Sequence, residues 1–385
     1  MDNYPNHNNT KTSYNMIDNK SLSRKMPDKG IAPFASIYAD VNSKKSENYW
    51  NYNEFRPSFG KIDKYEVTKK IGRGRYSEVF NGNMIGNTNI STSKNKCVVK
   101  MLKPIRNQEK KLRREILILQ NLSKQKNIIK LLDVVRDEDS SITCLVFEHI
   151  NNTNCKELYP TLSESDIRYY VDQIFVGLES CHSCGIMHRD LKPDNIVIDH
   201  QKKELRIIDW GLGEFYHPGQ EYSCRVATRY YKSPEIMIDM NNPRHYDYAL
   251  DIWSAGCIAA QMMYRIHPFF HGADNHEQLV EITKVLGTDE LLEWIDESNF
   301  KLDEYYKPRV IEKHRPRKDL KDFINENNSH LVSKDGINFL EKIFVFNPQK
   351  RMTAREAMCH KWLNPLPNKD LKKRGIDPEN PNTPI

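Results

Sequence analysis

Residues 188–195 read His188-Arg-Asp-Leu-Lys-Pro-Asp-Asn195, and the fold turns on what those eight positions require. Asp190 supplies a carboxylate, Lys192 a cation two residues on, and Asn195 an amide oxygen five residues on. Such groups at such spacing suit a base that orients a hydroxyl, a cation that steadies a phosphoryl group, and an oxygen ligand for Mg²⁺. Further on, Asp209-Trp-Gly211 follows directly on the apolar run Leu205-Arg-Ile-Ile208. A carboxylate held at a strand end is a fit second ligand for a hard cation. Taken alone, that tripeptide reads equally well as a β-turn.

Upstream, Tyr65–Ile71 alternates as a strand should, and Ser77–Phe80 resumes after the turn Gly72-Arg-Gly-Arg-Tyr-Ser77. Glycines there let backbone amides approach phosphate oxygens without a Cβ in the way. Strand on both sides excludes a dinucleotide-binding turn or a Walker loop, which need strand–turn–helix. The polar run Asn81–Lys96 reads as a long hairpin loop, and Cys97–Leu102 as the next strand. Leu112, Ile116, Leu119 and Leu122 mark an amphipathic helix, and Glu115 falls inside its apolar stripe. A carboxylate there is costly unless paired. Lys100 on the neighbouring strand is its natural partner, and a snorkelling Glu at the stripe edge is the alternative. Ile142–Phe147 is a further strand. Past residue 149 the periodicity turns helical, at Asp166–His182, Leu250–Met263, Gln278–Leu286 and Gly336–Phe344, with short strands at Ile196–Ile198 and Leu205–Ile208.

The chain has 385 residues, 38% of them hydrophobic, and a net charge of +6. That length buries enough surface to need no disulfide or metal staple. No run approaches the ~18 apolar residues of a membrane span, and the first residues lack the apolar core of a secretory leader. Eight cysteines contain one close pair, Cys181-His-Ser-Cys184, with no second pair to complete a zinc site. It reads as two small residues on a helix in a reducing compartment. Residues 1–35 are Asn-, Ser- and Lys-rich and are expected to be disordered. Residues 36–60 carry Tyr38, Tyr49, Trp50, Tyr52 and Phe55 and are expected to pack back on the domain.

In this order and at these separations the motifs resemble those of the eukaryotic protein kinases. Lys192 is similar to the serine/threonine class. Val226–Glu235 resembles the end of an activation segment, Asp251–Gly256 the helix that anchors the catalytic loop, and Arg351 the partner of Glu235. GRGRYSEVF, LVFEHINNTN, DWG, EFYHPGQEY, PFFHGADN and KVLGT together resemble the catalytic alpha subunit family of casein kinase II, from about Ala35 to Leu363. Departures are Asp194, Gly213, Thr228 and Ser233, a longer Asn81–Lys96 loop, and two residues inserted near Arg106–Glu109.

The resemblance implies an α+β bilobal fold, with a β-rich N-lobe at 61–149, a helical C-lobe at 150–365 and a flexible tail at 366–385. It implies a serine/threonine kinase using ATP, or GTP in its place, with Mg²⁺, active without a switch because the N-terminal segment and Trp210 brace the activation segment. Nucleotide contacts would fall on Gly72, Arg73, Gly74, Arg75, Tyr76, Ser77, Val79, Lys100, Glu148, Ile150, Asn195 and Asp209. Asn195 and Asp209 would hold the metal. Asp190 would orient the substrate hydroxyl, Lys192 would steady the γ-phosphoryl, and Glu115 would hold Lys100. Partners implied are acidic Ser/Thr protein substrates and a regulatory beta-subunit dimer at the small lobe, near Val67 and Phe80. No membrane and no direct nucleic-acid contact are expected, and the compartment implied is cytoplasm and nucleus.

Charge adds a location. Lys100–Arg114 holds seven bases and one acid, an excess equal to that of the whole chain, so the remainder reads as balanced. Lys110, Arg113 and Arg114 project away from the helix's apolar stripe, and so are expected to face outwards. With Lys111 they form one basic cluster, which by itself reads as well as a solvated face. Arg225, Arg229 and Lys232 form a second, and the resemblance implies that both receive acidic flanks of the substrate. Two rival classes remain open: a catalytically weak scaffold, which should have lost a residue among Lys100, Asp190, Asn195 and Asp209, and a nucleic-acid-binding module using the basic patch.

Overall fold

The alternating segments pair in space as five antiparallel strands: β1 (Tyr65–Arg73), β2 (Ser77–Met84), β3 (Lys96–Leu102), β4 (Leu131–Arg136) and β5 (Thr143–Glu148), in the order β1-β2-β3-β5-β4. This computed structural model describes residues 35–74, 76–85, 95–103, 108–238, 244–298, 300 and 302–364. The expectations for residues 1–34, Arg75, most of the Asn81–Lys96 loop, the insertion near Arg106–Glu109 and the tail past residue 364 lie outside these.

The predicted loop begins later than expected. Asn81–Met84 continue β2, with Gly82 opposite Val67 on one side and Cys97 on the other. Two flanking strands outweigh the weak strand propensity of Asn and Gly. Gly82 is also required there, because a Cβ would sit 2.7 Å from the Glu66 carbonyl oxygen. β4, which the sequence reading omitted, is an edge strand against β5. Cys97, Val99, Val135, Cys144 and Val146 bury one face of the sheet. Helix α1 (Glu109–Asn121) buries Ile116, Leu117, Ile118 and Leu119.

Past β5 the chain becomes helical through α2 (Cys155–Leu158), α3 (Glu164–His182), α4 (Ala249–Tyr264), α5 (Asn275–Leu286), α6 (Asp289–Glu297), α7 (Lys334–Ile343) and α8 (Ala354–Cys359). A reciprocal capping box, Ser163 with Asp166, starts α3. Helix α4 is buried over nearly its whole circumference, so its apolar run shows little helical periodicity. Two small antiparallel pairings, β6 (Ile186–Met187) with β9 (Glu214–Phe215) and the hairpin β7 (Ile196–Asp199) with β8 (Glu204–Ile207), carry the loops between α3 and α4. The architecture is α+β with a sheet-rich lobe followed by a helical one. All eight cysteines are free, and no described helix is long and apolar enough to cross a membrane.

The lobes are joined by more than the connecting chain. Ile207 in β8 exchanges backbone hydrogen bonds with Asn127 and Ile129 of the α1–β4 connection, at 2.7 and 3.2 Å. Glu148, at the end of β5, accepts from Arg206 Nε at 3.1 Å and from the Lys130 amide at 3.0 Å.

Residues 36–60 lie across this junction. Asn42 donates its amide hydrogens to the carbonyls of Gly185 and Tyr216, at 2.7 and 2.8 Å. The Tyr38 hydroxyl bonds Glu179, and the Tyr49 hydroxyl donates to the Cys184 carbonyl at 2.9 Å. Tyr49 and Tyr52 pack on Phe215, and Trp50 meets His217 edge-on at 4.9 Å. Ala35 is buried and donates to the Tyr216 hydroxyl, so it belongs to the packed segment and not to the extension before it.

Further on, Arg351 grips Glu235 with two hydrogen bonds, at 2.9 and 3.1 Å, in the core. Asp247 lies nearby. Its burial, with a smaller push from Glu235, raises its pKa to about 7. Native Asp247 therefore holds a proton that the unfolded chain releases at lower pH, so its contribution to stability falls as pH rises from the ordinary carboxylate range to about 7. Denaturation midpoints of wild type and Asp247→Asn, measured across that range, should diverge with this slope; parallel curves would show that Asp247 is ionised throughout.

Candidate active site

Strand β3 ends beside α1, and the first catalytic contact follows from that adjacency. Lys100 Nζ lies 2.7 Å from Glu115 Oε1 and 2.9 Å from Asp209 Oδ1. The carboxylate inside the apolar stripe of α1 is thus paired, which disposes of the snorkelling alternative. Burial works against the ammonium, but Glu115 and then Asp209 more than compensate and raise its pKa above that of an ordinary lysine. Burial pushes Asp209 upwards, yet Lys100 holds its carboxyl below the usual carboxylate range. Asp209 adopts a left-handed backbone conformation, φ +60°, at the start of a tight 3₁₀ turn over Trp210–Leu212. That bend turns the carboxylate back towards β3.

The 188–195 loop is rigidly held. Asp251, wholly buried on α4, accepts from the backbone amides of His188 and Arg189 at 2.8 Å each and faces His182 Nε2 at 3.0 Å. His188 Nε2 meets the Ile208 carbonyl at 3.0 Å, and its ring packs edge-on against Trp210 at 4.7 Å. Trp210 is therefore a core aromatic beneath the loop. The ring contacts of the N-terminal segment go to Phe215 and His217.

Within this frame, Lys192 Nζ donates to Asp190 Oδ2 at 2.9 Å and to Thr228 Oγ1 at 3.0 Å, while Thr228 donates to Asp190 Oδ1 at 2.8 Å. Asn195 spends its amide hydrogens on the Asp190 carbonyl (2.8 Å) and carboxylate (3.2 Å), which leaves its amide oxygen for a cation. No cluster of three metal-ligating side chains occurs among the described residues. Asp209 and Asn195 thus fit Mg²⁺ only in the company of phosphate oxygens and water, its usual preference.

A cleft of about 490 Å³ is bordered by Asp190 and Asp209 of this group. Gly74, Tyr76 and Ser77 border it along with Lys100, Glu115, Asp190, Asp209 and Leu212, and Lys103 and Lys111 flank it. The Gly74 amide closes on the Ser77 carbonyl at 2.8 Å, and Lys103 Nζ caps the Gly74 carbonyl at 2.8 Å. Several expected nucleotide contacts are not cleft-facing side chains. Arg73 pairs with Glu78 at 3.7 Å and is largely exposed, and Glu148 turns its carboxylate to Arg206. Val79, by contrast, lies opposite Lys100 in the sheet and so shares its face. Gly72 lies in β1 and Ile150 just past β5, and neither borders that cleft.

The expected substrate cations divide. Lys110, Lys111 and Arg225 are exposed, with Lys110 5.6 Å from the Tyr52 ring and Lys111 5.4 Å from that of Tyr76. Arg229 is half-buried and donates to the Ala273 carbonyl at 2.5 Å. The other three do not fit the outward-facing reading. Arg113 bonds Glu109 and the Asn53 carbonyl. Arg114 reaches Glu214 at 2.7 Å with its side chain only 13% exposed. Lys232 is buried against the Val226 carbonyl, and desolvation brings its pKa down to about 8. The projection placed Arg114 opposite the α1 stripe correctly, but β9 covers that side too.

Two functional residues escaped the sequence reading. Glu214 is buried between Arg114 and Arg189, whose guanidinium lies 3.6 Å away. Arg189, itself at φ +67°, also donates to the Leu212 carbonyl at 2.7 Å and to the Tyr246 hydroxyl at 3.0 Å. Arg189 was visible inside the quoted octapeptide; a lone glutamate in Gly-Glu-Phe-Tyr carries no such signal. Replacing Glu214 by Gln keeps its shape and removes the charge that two arginines share. Amide exchange over residues 212–217 should accelerate, by about tenfold or more for a lost charge-assisted contact; unchanged protection would show that the arginines do not need the carboxylate. A family model described as protein kinase domain matches residues 65–363.

Proposed function

The chain belongs to the protein kinase family, and on that premise we propose that it is a serine/threonine kinase of the casein kinase II type, acting on hydroxyls flanked by acidic residues. Protein kinases use ATP with Mg²⁺, and the metal neutralises charge that builds on the phosphates. Asp209 and the amide oxygen of Asn195 are the protein oxygens available to hold it. Lys100, pinned from both sides, presents a fixed cation to the phosphates. Asp190 accepts the hydrogen bond of the incoming hydroxyl, and Lys192 at its side carries positive charge where the phosphoryl group passes. With a loose transition state, this placement of fixed charges accounts for most of the acceleration.

One observation carries the acidic preference: Lys103 and Lys111 flank the same cleft that Asp190 lines. Lys110 and Arg225 extend the exposed positive charge. Arg114 and Lys232 drop out of this account, since each is committed internally. Activity without a switch is supported by Glu214, a carboxylate built into the chain between Arg114 and Arg189, and by the Tyr38–Tyr52 segment packed on Phe215 and His217. A regulatory beta-subunit dimer is supported by exposed apolar side chains of β1, Val67 at 45% and Ile71 at 50%. Use of GTP and residence in cytoplasm and nucleus belong to the same proposal, on the resemblance alone. The intact quartet Lys100, Asp190, Asn195 and Asp209 speaks against an inactive scaffold.

A positional peptide library phosphorylated with labelled ATP and GTP in parallel tests the reading. Acidic residues should be selected after the target Ser or Thr, and selection of basic flanks would overturn it. Lys100→Met and Asp190→Asn should each leave a folded protein with turnover reduced by about a hundredfold or more; wild-type turnover by either purified variant would remove these residues from the mechanism. Deleting residues 1–60 should lower turnover with no phosphorylation involved, and unchanged turnover would exclude the brace.

A further inference from the structure

We infer that residues 307–321 form a second anion-recognition surface, on the helical lobe, which engages an acidic stretch of a polypeptide substrate away from its phosphorylated hydroxyl. The inference rests on the acidic-substrate reading above and extends it to a new part of the molecule.

The stretch Lys307-Pro-Arg-Val-Ile-Glu-Lys-His-Arg-Pro-Arg-Lys-Asp-Leu-Lys321 holds seven lysines and arginines against two acids. The chain outside Lys100–Arg114 is balanced in sum, therefore, but not in space. Two of the seven cations are neutralised: Arg317 by Glu290 at 3.1 Å and Lys321 by Asp319 at 3.0 Å. Among the described residues, Lys307, Arg309, Lys313, Arg315 and Lys318 have no carboxylate within ion-pair distance. Of these five, only Arg315 is not exposed.

A basic run is most often a solvated face, and what distinguishes this one is that its backbone is fixed. The Thr288 amide donates to the Arg315 carbonyl at 3.0 Å, the Arg315 amide to Thr288 Oγ1 at 3.0 Å, and the Lys318 amide to the Val285 carbonyl at 2.8 Å. Gly287, at φ +81°, admits the segment so closely that a Cβ would lie 2.7 Å from the Arg317 nitrogen. The cations brace one another as well. Arg315 donates to the Arg309 carbonyl at 2.5 Å, and Arg309 stacks over Tyr305 with its guanidinium 4.0 Å from the ring centre. Like charges crowded on an ordered frame repel, and an anionic ligand relieves that repulsion without the cost of ordering the segment.

The surface is continuous with the catalytic site. Thr228 bonds Asp190, and the next residue, Arg229, bonds the Ala273 carbonyl. Asp274 caps α5, whose His276 ring lies 4.9 Å from Tyr305. This chain of contacts links Asp190 to the Tyr305–Arg309 end of the surface through the start of α5. The occupant favoured is polypeptide rather than nucleic acid. Arg309 stacks on Tyr305, the aromatic ring at the head of the surface, and the His276 ring packs 4.9 Å from it, so the ring is already engaged and poorly placed to stack on a base.

The test compares wild type with Lys313→Glu/Lys318→Glu, two exposed positions outside the catalytic machinery. Steady-state kinetics are measured on a short acidic serine peptide and on the same peptide carrying a long acidic extension, at low and high salt. In the wild type the extension should lower KM about fivefold at low salt, the sum of several exposed charge pairs, and the gain should fade at high salt. The double variant should lose that gain while kcat and KM for the short peptide stay unchanged. Equal gains in wild type and variant overturn the inference, and so does a variant whose only loss is binding to duplex DNA. A wild type that prefers basic flanks on the short peptide overturns the acidic-substrate reading itself, and is recognised before the extension is tried.

Discussion

An ammonium withdrawn from water must be neutralised where it stands, and Lys100 meets that requirement with two carboxylates from different parts of the chain. Glu115 comes from the helix of the sheet-rich lobe and Asp209 from the turn after β8 in the helical lobe. The charge proposed to meet phosphate is therefore also a tie between lobes. Its geometry depends on α1 lying against β3 and on the left-handed bend at Asp209. Neither carboxylate is interchangeable with an uncharged side chain, since either loss leaves a partly buried charge without its full complement.

The same rule organises the rest of the site. Asp251 is buried without a cationic lysine or arginine, and its oxygens are satisfied by two backbone amides of the 188–190 turn and by His182. Burial alone would raise its pKa, yet His182 and the loop hold it below the usual range. Glu214 is answered by Arg114 and Arg189. In each case a buried acid fixes a loop that would otherwise be free. The catalytic groups inherit their precision from these pairings and add few packing contacts of their own.

Sequence periodicity served best where one face alone decided the structure. Glu115 stood out because a carboxylate interrupted an apolar stripe, and Lys100 was the nearest answer. The octapeptide at 188–195 was legible because its residue types and spacing leave little room for another chemistry. Arg114 was misread because a helical projection knows only its own helix, and cannot report that β9 covers the far side. Lys232 looked like a surface cation for a similar reason: burial is a property of the assembled lobe. Strand β4 and Asn81–Met84 took their conformation from neighbouring strands, β5 for the one and β1 and β3 for the other, which outweighed weak local patterns. Glu214 gave no warning at all, since its meaning lies wholly in two arginines 100 and 25 positions upstream.

The side chain of Asn42, clamped between two carbonyls that flank β9, has a consequence of a different kind. It belongs to the same polypeptide as the strand it steadies, so its local concentration is set by the intervening chain and is indifferent to how much protein a solution contains. Dilution cannot strip it away, as it would a separate activator. Its loss requires local opening of residues 35–60, and the frequency of that opening is governed by the hydrogen bonds and ring contacts these residues make. The resting occupancy of the ordered β9 strand is thereby an intrinsic constant of the molecule, in the sense that a spring carries its own tension.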